Sequence, residues 1–358
     1  VFVSGGGYGG KGEHSLHWAL SPALASVLLR MAPTIGGGEP APAEAAPPGT
    51  CKQPRTPPPA WLRVTPASAL RRGFGGLGGA AEDDQKSFRA FFARYGFAVL
   101  RVRRAEAALF RRCAGRFERE FFRVLSGAEK ERERTFNAQG ALCGWNRPSA
   151  AKEVFRLLGS DVRDGAPGPV HEAARVYKRL RRLARSCLRV LLLPCHLRRG
   201  AAAGGCHDAG GPSTTQPSPL DVFFYMNDAS NTEAEGVANL SPHVDPGYLT
   251  LVPVATTPGL ALRSPGLGRW CRVEEDLGLE PLRHVVVFPG VALQENAEAG
   301  ECGDACIGAA VHLVYKVLGK ARLSLVFELR QPPGPARWRG GRLRPRRRGG
   351  GLLSLRER

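Results

Sequence analysis

Beyond position 220 the chain falls into a rhythm that few folds accept. Short runs rich in Val, Leu, Phe and Tyr occupy 221–226, 248–254, 259–262, 270–273, 284–288, 311–317 and 322–329. Their apolar residues recur with a period close to two, the period of a strand with one face against a core. Turn-forming triplets cut between them: Asp245-Pro246-Gly247, Thr257-Pro258-Gly259, Ser264-Pro265-Gly266 and Phe288-Pro289-Gly290. Many short strands at such spacing predict a sandwich or jelly roll over 220–332.

Upstream the period changes. Phe88, Phe91, Phe92 and Tyr95 stand at helical spacing, and Gly96 then opens the strand-like 97–100. Residues 105–126 carry a 3.6-period stripe through Leu109, Phe110, Cys113, Phe117, Phe121, Phe122 and Leu125, which predicts an amphipathic helix. A second helix is expected over about 170–193, with Val176, Leu180, Leu183, Cys187, Leu188 and Leu191 inward. The expected class is α+β, a jelly-roll core with flanking N-terminal helices and disordered termini. The expected divisions are a low-complexity leader at 1–80, a helical region at 81–200, a flexible loop at 201–219, the core, and a basic tail at 333–358. The leader mixes glycine runs with Pro-rich pieces, a composition that buries too little apolar area to offset chain entropy. Its apolar patch at 18–29 leaves a targeting peptide open.

A formal net charge of +19 would ordinarily point to a polyanionic partner. Only eight of the 51 basic residues are Lys, however, and the abundance of Arg, Ala, Gly and Pro is what G+C-rich codons favour. Along the helices acids and bases are interspersed, which describes a solvated face better than a nucleic-acid groove. Nine scattered cysteines, without paired zinc-type spacing, suit a reducing, intracellular and cytoplasmic setting. Cys302 and Cys306 form the one close pair and are assigned no role. No apolar run reaches the ~20 residues of a membrane helix. A monomer acting on a small molecule is expected.

The chemistry concentrates at His243-Val244-Asp245. In an extended chain, residues i and i+2 project to one face, so an imidazole and a carboxylate can converge on one ion. By itself H-x-D also describes a turn Asp beside a surface His. A third ligand must follow on a later strand, and His284 and His312 are the candidates. His284 starts an apolar strand, where a structural role is the commoner one. Ten residues past His312 comes Arg322-Leu323-Ser324, an Arg and a Ser on one face, suited to receive a carboxylate. Two imidazoles and one carboxylate on one face of an octahedron leave three positions open, as iron(II) oxygen chemistry requires.

With these residues in order, the chain resembles the isopenicillin N synthase-like branch of the 2-oxoglutarate/Fe(II)-dependent dioxygenases over roughly 82–330. His243-Val244-Asp245-Pro246-Gly247-Tyr248-Leu249-Thr250-Leu251 is similar to the metal-binding strand, Val285-Val286-Val287-Phe288-Pro289-Gly290 to the segment before the distal His, and Arg322-Leu323-Ser324 to the R-x-S signature. Tyr95-Gly96-Phe97, Gly144-Trp145 and Lys152-Glu153 resemble the N-terminal landmarks. The resemblance implies Fe(II) held by His243, Asp245 and His312, with 2-oxoglutarate held by Arg322, Ser324 and Tyr225, and O2 as oxidant. It implies hydroxylation or desaturation of a small metabolite with release of succinate and CO2. A carboxylate at position 245 argues against a halogenase. Phe223 stands where the family usually has Asn, and Leu313 where Arg commonly follows the distal His. Three rivals stand beside this reading: an oxidase that does without 2-oxoglutarate, a nucleic-acid-directed dioxygenase or binder suggested by the arginine tail, and a degenerate, non-catalytic relative that would not bind one Fe(II) per chain. Trp145, Asn146 and Arg147 stand either near the barrel mouth or in core or surface positions.

Overall fold

The computed structural model describes residues 62–71, 80–136, 141–159, 168–201, 217–227, 238–298 and 307–330. Thirteen strands among them form two sheets. They are β1 (Val64–Pro66), β2 (Ala98–Arg101), β3 (Thr135–Phe136), β4 (Leu142–Ser149), β5 (Lys152–Leu158), β6 (Pro219–Tyr225), β7 (Leu240–His243), β8 (Leu249–Pro253), β9 (Leu260–Ser264), β10 (Arg269–Cys271), β11 (His284–Pro289), β12 (His312–Val314) and β13 (Arg322–Leu329). The larger sheet runs β1-β2-β11-β8-β13-β6-β5-β4-β3 and the smaller β10-β9-β12-β7. From β6 onward, successive strands alternate mainly between the two sheets, which is the winding of a double-stranded β-helix. The jelly-roll core is as the strand rhythm predicts.

Alternation along the strands decides what each face does. On β13, Leu323, Leu325, Phe327 and Leu329 join the apolar core. Arg322, Ser324, Val326 and Glu328 line a cavity between the sheets. On β6, Leu220, Val222 and Phe224 likewise belong to the core, whereas Asp221, Phe223 and Tyr225 line the cavity. A one-residue slip in either strand would exchange these faces.

Among the described residues five α-helices accompany the strands, and those at 80–95, 104–116 and 168–201 pack on the larger sheet. The five are α1 (Ala80–Tyr95), α2 (Arg104–Arg116), α3 (Gly127–Arg132), α4 (Gly168–Ala201) and α5 (Val291–Glu298). Among the described residues no helix is long and apolar enough to cross a membrane. Phe88 and Phe92 of α1 are fully buried one turn apart. Tyr177 of α4 meets Phe327 of β13 edge-on at 5.3 Å. The apolar stripe predicted as one helix over 105–126 instead passes from α2 into a π-helical turn at Phe117–Phe122. That widened turn sets Phe117, Phe121 and Phe122 against Phe155 and Phe224, with centroids 5.1 to 5.2 Å apart. The second helix extends to Ala201, beyond the expected end near 193.

Two further expectations need correction. A leader running through residue 80 is too long: β1 pairs in parallel with β2, and Ala67, Ala69 and Leu70 are buried. Gln85 of α1 donates to the Ala69 carbonyl at 3.0 Å, tying this segment to the helix layer. The region expected to be helical over 81–200 also contains β3, β4 and β5, which extend the larger sheet past β6. The expected basic tail and the Cys302/Cys306 pair lie outside the described residues.

Candidate metal centre

Strand pairing brings the two distant histidines together. β7 ends at His243 and β12 begins at His312, and the two residues are directly opposite in the antiparallel ladder. Their rings lie 4.1 Å apart between centroids. Two residues past His243 the chain turns towards β8, and Asp245 enters the same space. His243 Nε2 is 3.6 Å from Asp245 Oδ1, and His312 Nε2 is 3.6 Å from Asp245 Oδ2. One ligand atom from each residue lies within 4.8 Å of the others. Neighbouring ligands on an octahedron of about 2.1 Å radius sit roughly 3 Å apart, so little adjustment brings these donors onto one ion.

Each donor is aimed by a second contact. His243 Nδ1 lies 2.8 Å from the Ser241 carbonyl oxygen and His312 Nδ1 lies 3.2 Å from that of Ala310. A carbonyl only accepts, so each contact is a hydrogen bond in the tautomer with its proton on Nδ1, the tautomer that leaves Nε2 for a metal. The Thr250 hydroxyl donates to Asp245 Oδ2 and fixes the carboxylate plane. Burial pushes the His312 pKa down and His243 adds to that, against the opposing pull of Asp245. The imidazole is thereby kept neutral, the form a metal ion binds.

The turn carrying Asp245 is clamped from the far sheet. Val291 N–H, at the start of α5, donates to the Asp245 carbonyl at 2.9 Å, and Ala292 N–H reaches the Gly247 carbonyl at 3.2 Å. Gly290 makes this approach possible, since a Cβ there would collide with the Gly247 and Asp245 carbonyl oxygens. Gly247 N–H donates in turn to Glu328 Oε1 at 2.7 Å. Two Pro-Gly turns therefore lock into each other and set where Asp245 points.

A cavity of about 170 Å³ opens beside the three residues. Val252, Leu260, Phe288 and Val314 form its apolar wall, and Tyr225, Arg322 and Ser324 its polar end. Tyr225 is directly opposite Arg322 in the ladder, and burial pushes its hydroxyl pKa up, so it stays protonated. On the other side the cavity has two Arg–carboxylate pairs, Arg156–Asp221 at 2.7 Å and Arg330–Glu328 at 2.7 Å. Arg322 departs from the expectation of an open receptor: its Nη1 is 2.7 Å from Glu274 Oε2, and both side chains are only 1% exposed. The sequence reading missed Glu274, and also Thr250 as the partner of Asp245.

Other candidates resolve differently. His284 accepts the Glu280 N–H on Nδ1 at 2.9 Å, which makes it a turn brace at the start of β11. Trp145 is buried, its indole donating to Glu153 Oε2 at 2.8 Å, and it belongs to the core.

No protein-family model and no curated protein matches this chain. Solved structures do. A Shewanella oneidensis protein described as a candidate oxygenase is 21% identical, with a TM-score of 0.53, covering 76% of this chain and 90% of its own. The dioxygenase for auxin oxidation from rice is 18% identical, with a TM-score of 0.54, covering 76% and 84%. A full-length Neurospora crassa protein in complex with alpha-KG is 15% identical, with a TM-score of 0.51, covering 75% and 84%. The chain has the fold of the 2-oxoglutarate/Fe(II) oxygenases. In that oxygenase fold the smaller sheet and the turn after β7 carry His243, Asp245 and His312, while β6 and β13 of the larger sheet carry Tyr225, Arg322 and Ser324.

Proposed function

We propose that this chain is an Fe(II)- and 2-oxoglutarate-dependent dioxygenase that oxidises a small organic molecule, releasing succinate and CO2. The observation that carries the proposal is the convergence of two imidazoles and one anchored carboxylate at the edge of a cavity with an apolar wall and a polar end. His243, Asp245 and His312 fit a divalent iron by donor type, by number and by the positions they leave open. Iron so held would supply dioxygen activation, chemistry that no side chain here can perform.

The remaining work falls to the protein. Arg322 Nε is buried without a hydrogen-bond partner among the described residues, an orphan donor beside Ser324 at the polar end of the cavity. Such a donor suits the distal carboxylate of a 2-oxo acid whose other end reaches the metal ligands. Tyr225, held protonated, offers a further donor at the same end. Val252, Leu260, Phe288 and Val314 exclude water between the two ends, so the reacting groups are oriented without solvent competing for them. Substrate would enter on the side of Arg156, Asp221, Glu328 and Arg330, whose paired charges hold a polar molecule better than an aliphatic one.

The test is anaerobic titration with Fe(II), followed by a metabolite screen scored by succinate release. One Fe(II) per chain and substrate-dependent succinate are expected. An oxidase that dispenses with 2-oxoglutarate would bind iron and consume dioxygen without forming succinate. Failure of the wild-type protein to bind iron would remove the proposal altogether.

A further inference from the structure

Arg322 is held in an unusual grip. Its end-on pair of nitrogens faces a single carboxylate: Nη1 is 2.7 Å from Glu274 Oε2, and Nη2 is 3.3 Å from Oε1. Nη1 also donates to the Thr257 carbonyl, and Nη2 makes a long contact of 3.4 Å to Ser324 Oγ. Nε has no partner among the described residues. The edge left with unused donor capacity is therefore the side-on one, Nε with Nη2, buried beside Ser324. Gly259 lies against this side chain, where an added Cβ would come 2.9 Å from Nε, so residue 259 leaves room for the guanidinium.

Glu274 is no casual neighbour. Besides Arg322 it accepts backbone N–H groups from Ala255 at 2.9 Å, Gly259 at 2.7 Å and Leu260 at 2.9 Å. A carboxylate holding so many donors cannot swing aside to admit a competitor. The guanidinium charge at the far end of the cavity is thus already balanced before any ligand arrives.

We infer that Glu274 is the residue that sets cosubstrate selectivity in this chain, fixing Arg322 in a side-on presentation and cancelling its charge. This inference rests on the function proposed above. Its consequence is that the far end of the 2-oxo acid is recognised by hydrogen-bond geometry more than by charge. A neutral carboxamide there can still accept from Nε and Nη2 through its carbonyl oxygen. The site should therefore discriminate weakly between 2-oxoglutarate and 2-oxoglutaramate, its distal carboxamide. A site with an uncompensated Arg would instead favour the dicarboxylate strongly, because a guanidinium without a counter-charge attracts a carboxylate by net charge as well as by hydrogen bonds.

Isothermal titration calorimetry on the full chain loaded with Mn(II) tests this without turnover. In wild-type protein the two ligands should bind within about ten-fold of each other, an affinity difference of about 1.4 kcal/mol. In Glu274→Gln, which keeps the side-chain volume, 2-oxoglutarate should bind at least five-fold more tightly and 2-oxoglutaramate should be unaffected. The Gln amide would face the Ala255 N–H; should that misfold the variant, the wild-type ratio alone decides. A wild-type preference for 2-oxoglutarate above a hundred-fold overturns the inference, as does unchanged 2-oxoglutarate affinity in a folded Glu274→Gln protein. If neither ligand binds wild-type protein, the inference and the function beneath it both fall, whereas tight, selective 2-oxoglutarate binding removes the inference alone.

Discussion

At the scale of single residues, the candidate centre depends on contacts one step removed from its ligands. The Thr250 hydroxyl holds Asp245 Oδ2, and nothing else in the turn restrains that oxygen as directly. Thr250→Val preserves shape and removes the donor. Partners of this kind typically alter metal affinity by about 10–100-fold when removed. A loss of about ten-fold in Fe(II) affinity, with an unchanged circular dichroism spectrum, is the expected result of anaerobic titration. His284 gives a second prediction at this scale. Burial pushes its pKa below the ordinary value, with Glu280 opposing, and its Nδ1 must stay unprotonated to accept the Glu280 N–H. The unfolded chain therefore binds the proton more readily than the folded one. The stabilisation is present above the ordinary pKa of about 6.5 and is lost as pH falls through the lower folded value. Melting temperature should fall between pH 7 and pH 5, and His284→Asn, which keeps an acceptor near that position, should flatten this dependence. An unaltered slope in the variant would show that His284 does not contribute.

At the scale of elements, position in the ladder explains both what could be read from the sequence and what could not. His243 and Asp245 were legible because a two-residue spacing is local. His312 was legible as a candidate, but its place opposite His243 is a pairing between strands 69 residues apart, and no local pattern encodes it. Glu274 was hidden: Val273-Glu274-Glu275-Asp276 looks like a solvated acidic turn, and only the tertiary fold shows it capping three backbone N–H groups beneath Arg322. β4 escaped notice because Gly144 and Pro148 interrupt its run and the ladder is irregular between Asn146 and Ser149. β1, only three residues long, follows a Pro-rich stretch that masks it. The same scale predicts what breaks the centre. In Gly290→Ala the new methyl group would meet the Gly247 and Asp245 carbonyls, and the turn carrying Asp245 must shift. Overpacking of this kind costs about 1–3 kcal/mol, so urea unfolding should move by that amount while Fe(II) binding weakens more than stability alone would require. Near the turn of the β4–β5 hairpin, Lys130 is buried against Glu153 at 2.9 Å and also donates to the Phe122 carbonyl at 2.7 Å. Lys130→Met strands the Glu153 charge with only the Trp145 indole, and a loss of roughly 3–5 kcal/mol is expected in urea denaturation.

At the scale of the whole molecule, the three proposed ligands tie a ladder pair of the smaller sheet to a turn that leads into the larger one. β7 and β12 belong to the smaller sheet, while the Asp245 turn leads into β8 of the larger one and is braced by α5 and Glu328. An ion at this point would bridge both sheets. Metal binding should then act as global stabilisation, since anything that binds only the folded state shifts the unfolding equilibrium by mass action. At a free metal concentration about one hundred times Kd the gain is about 2.7 kcal/mol. For a domain somewhat larger than roughly 200 residues, each kcal/mol moves the melting temperature by roughly 2–4 °C. Differential scanning fluorimetry with Mn(II) should therefore show a rise of several degrees that EDTA reverses. His312→Ala should abolish the rise, because the two remaining ligands, His243 and Asp245, come from one short stretch of chain and hold an ion too weakly. A metal-dependent shift that persists in a His243→Ala/His312→Ala double variant would locate the stabilising ion elsewhere and detach the jelly roll's stability from this centre.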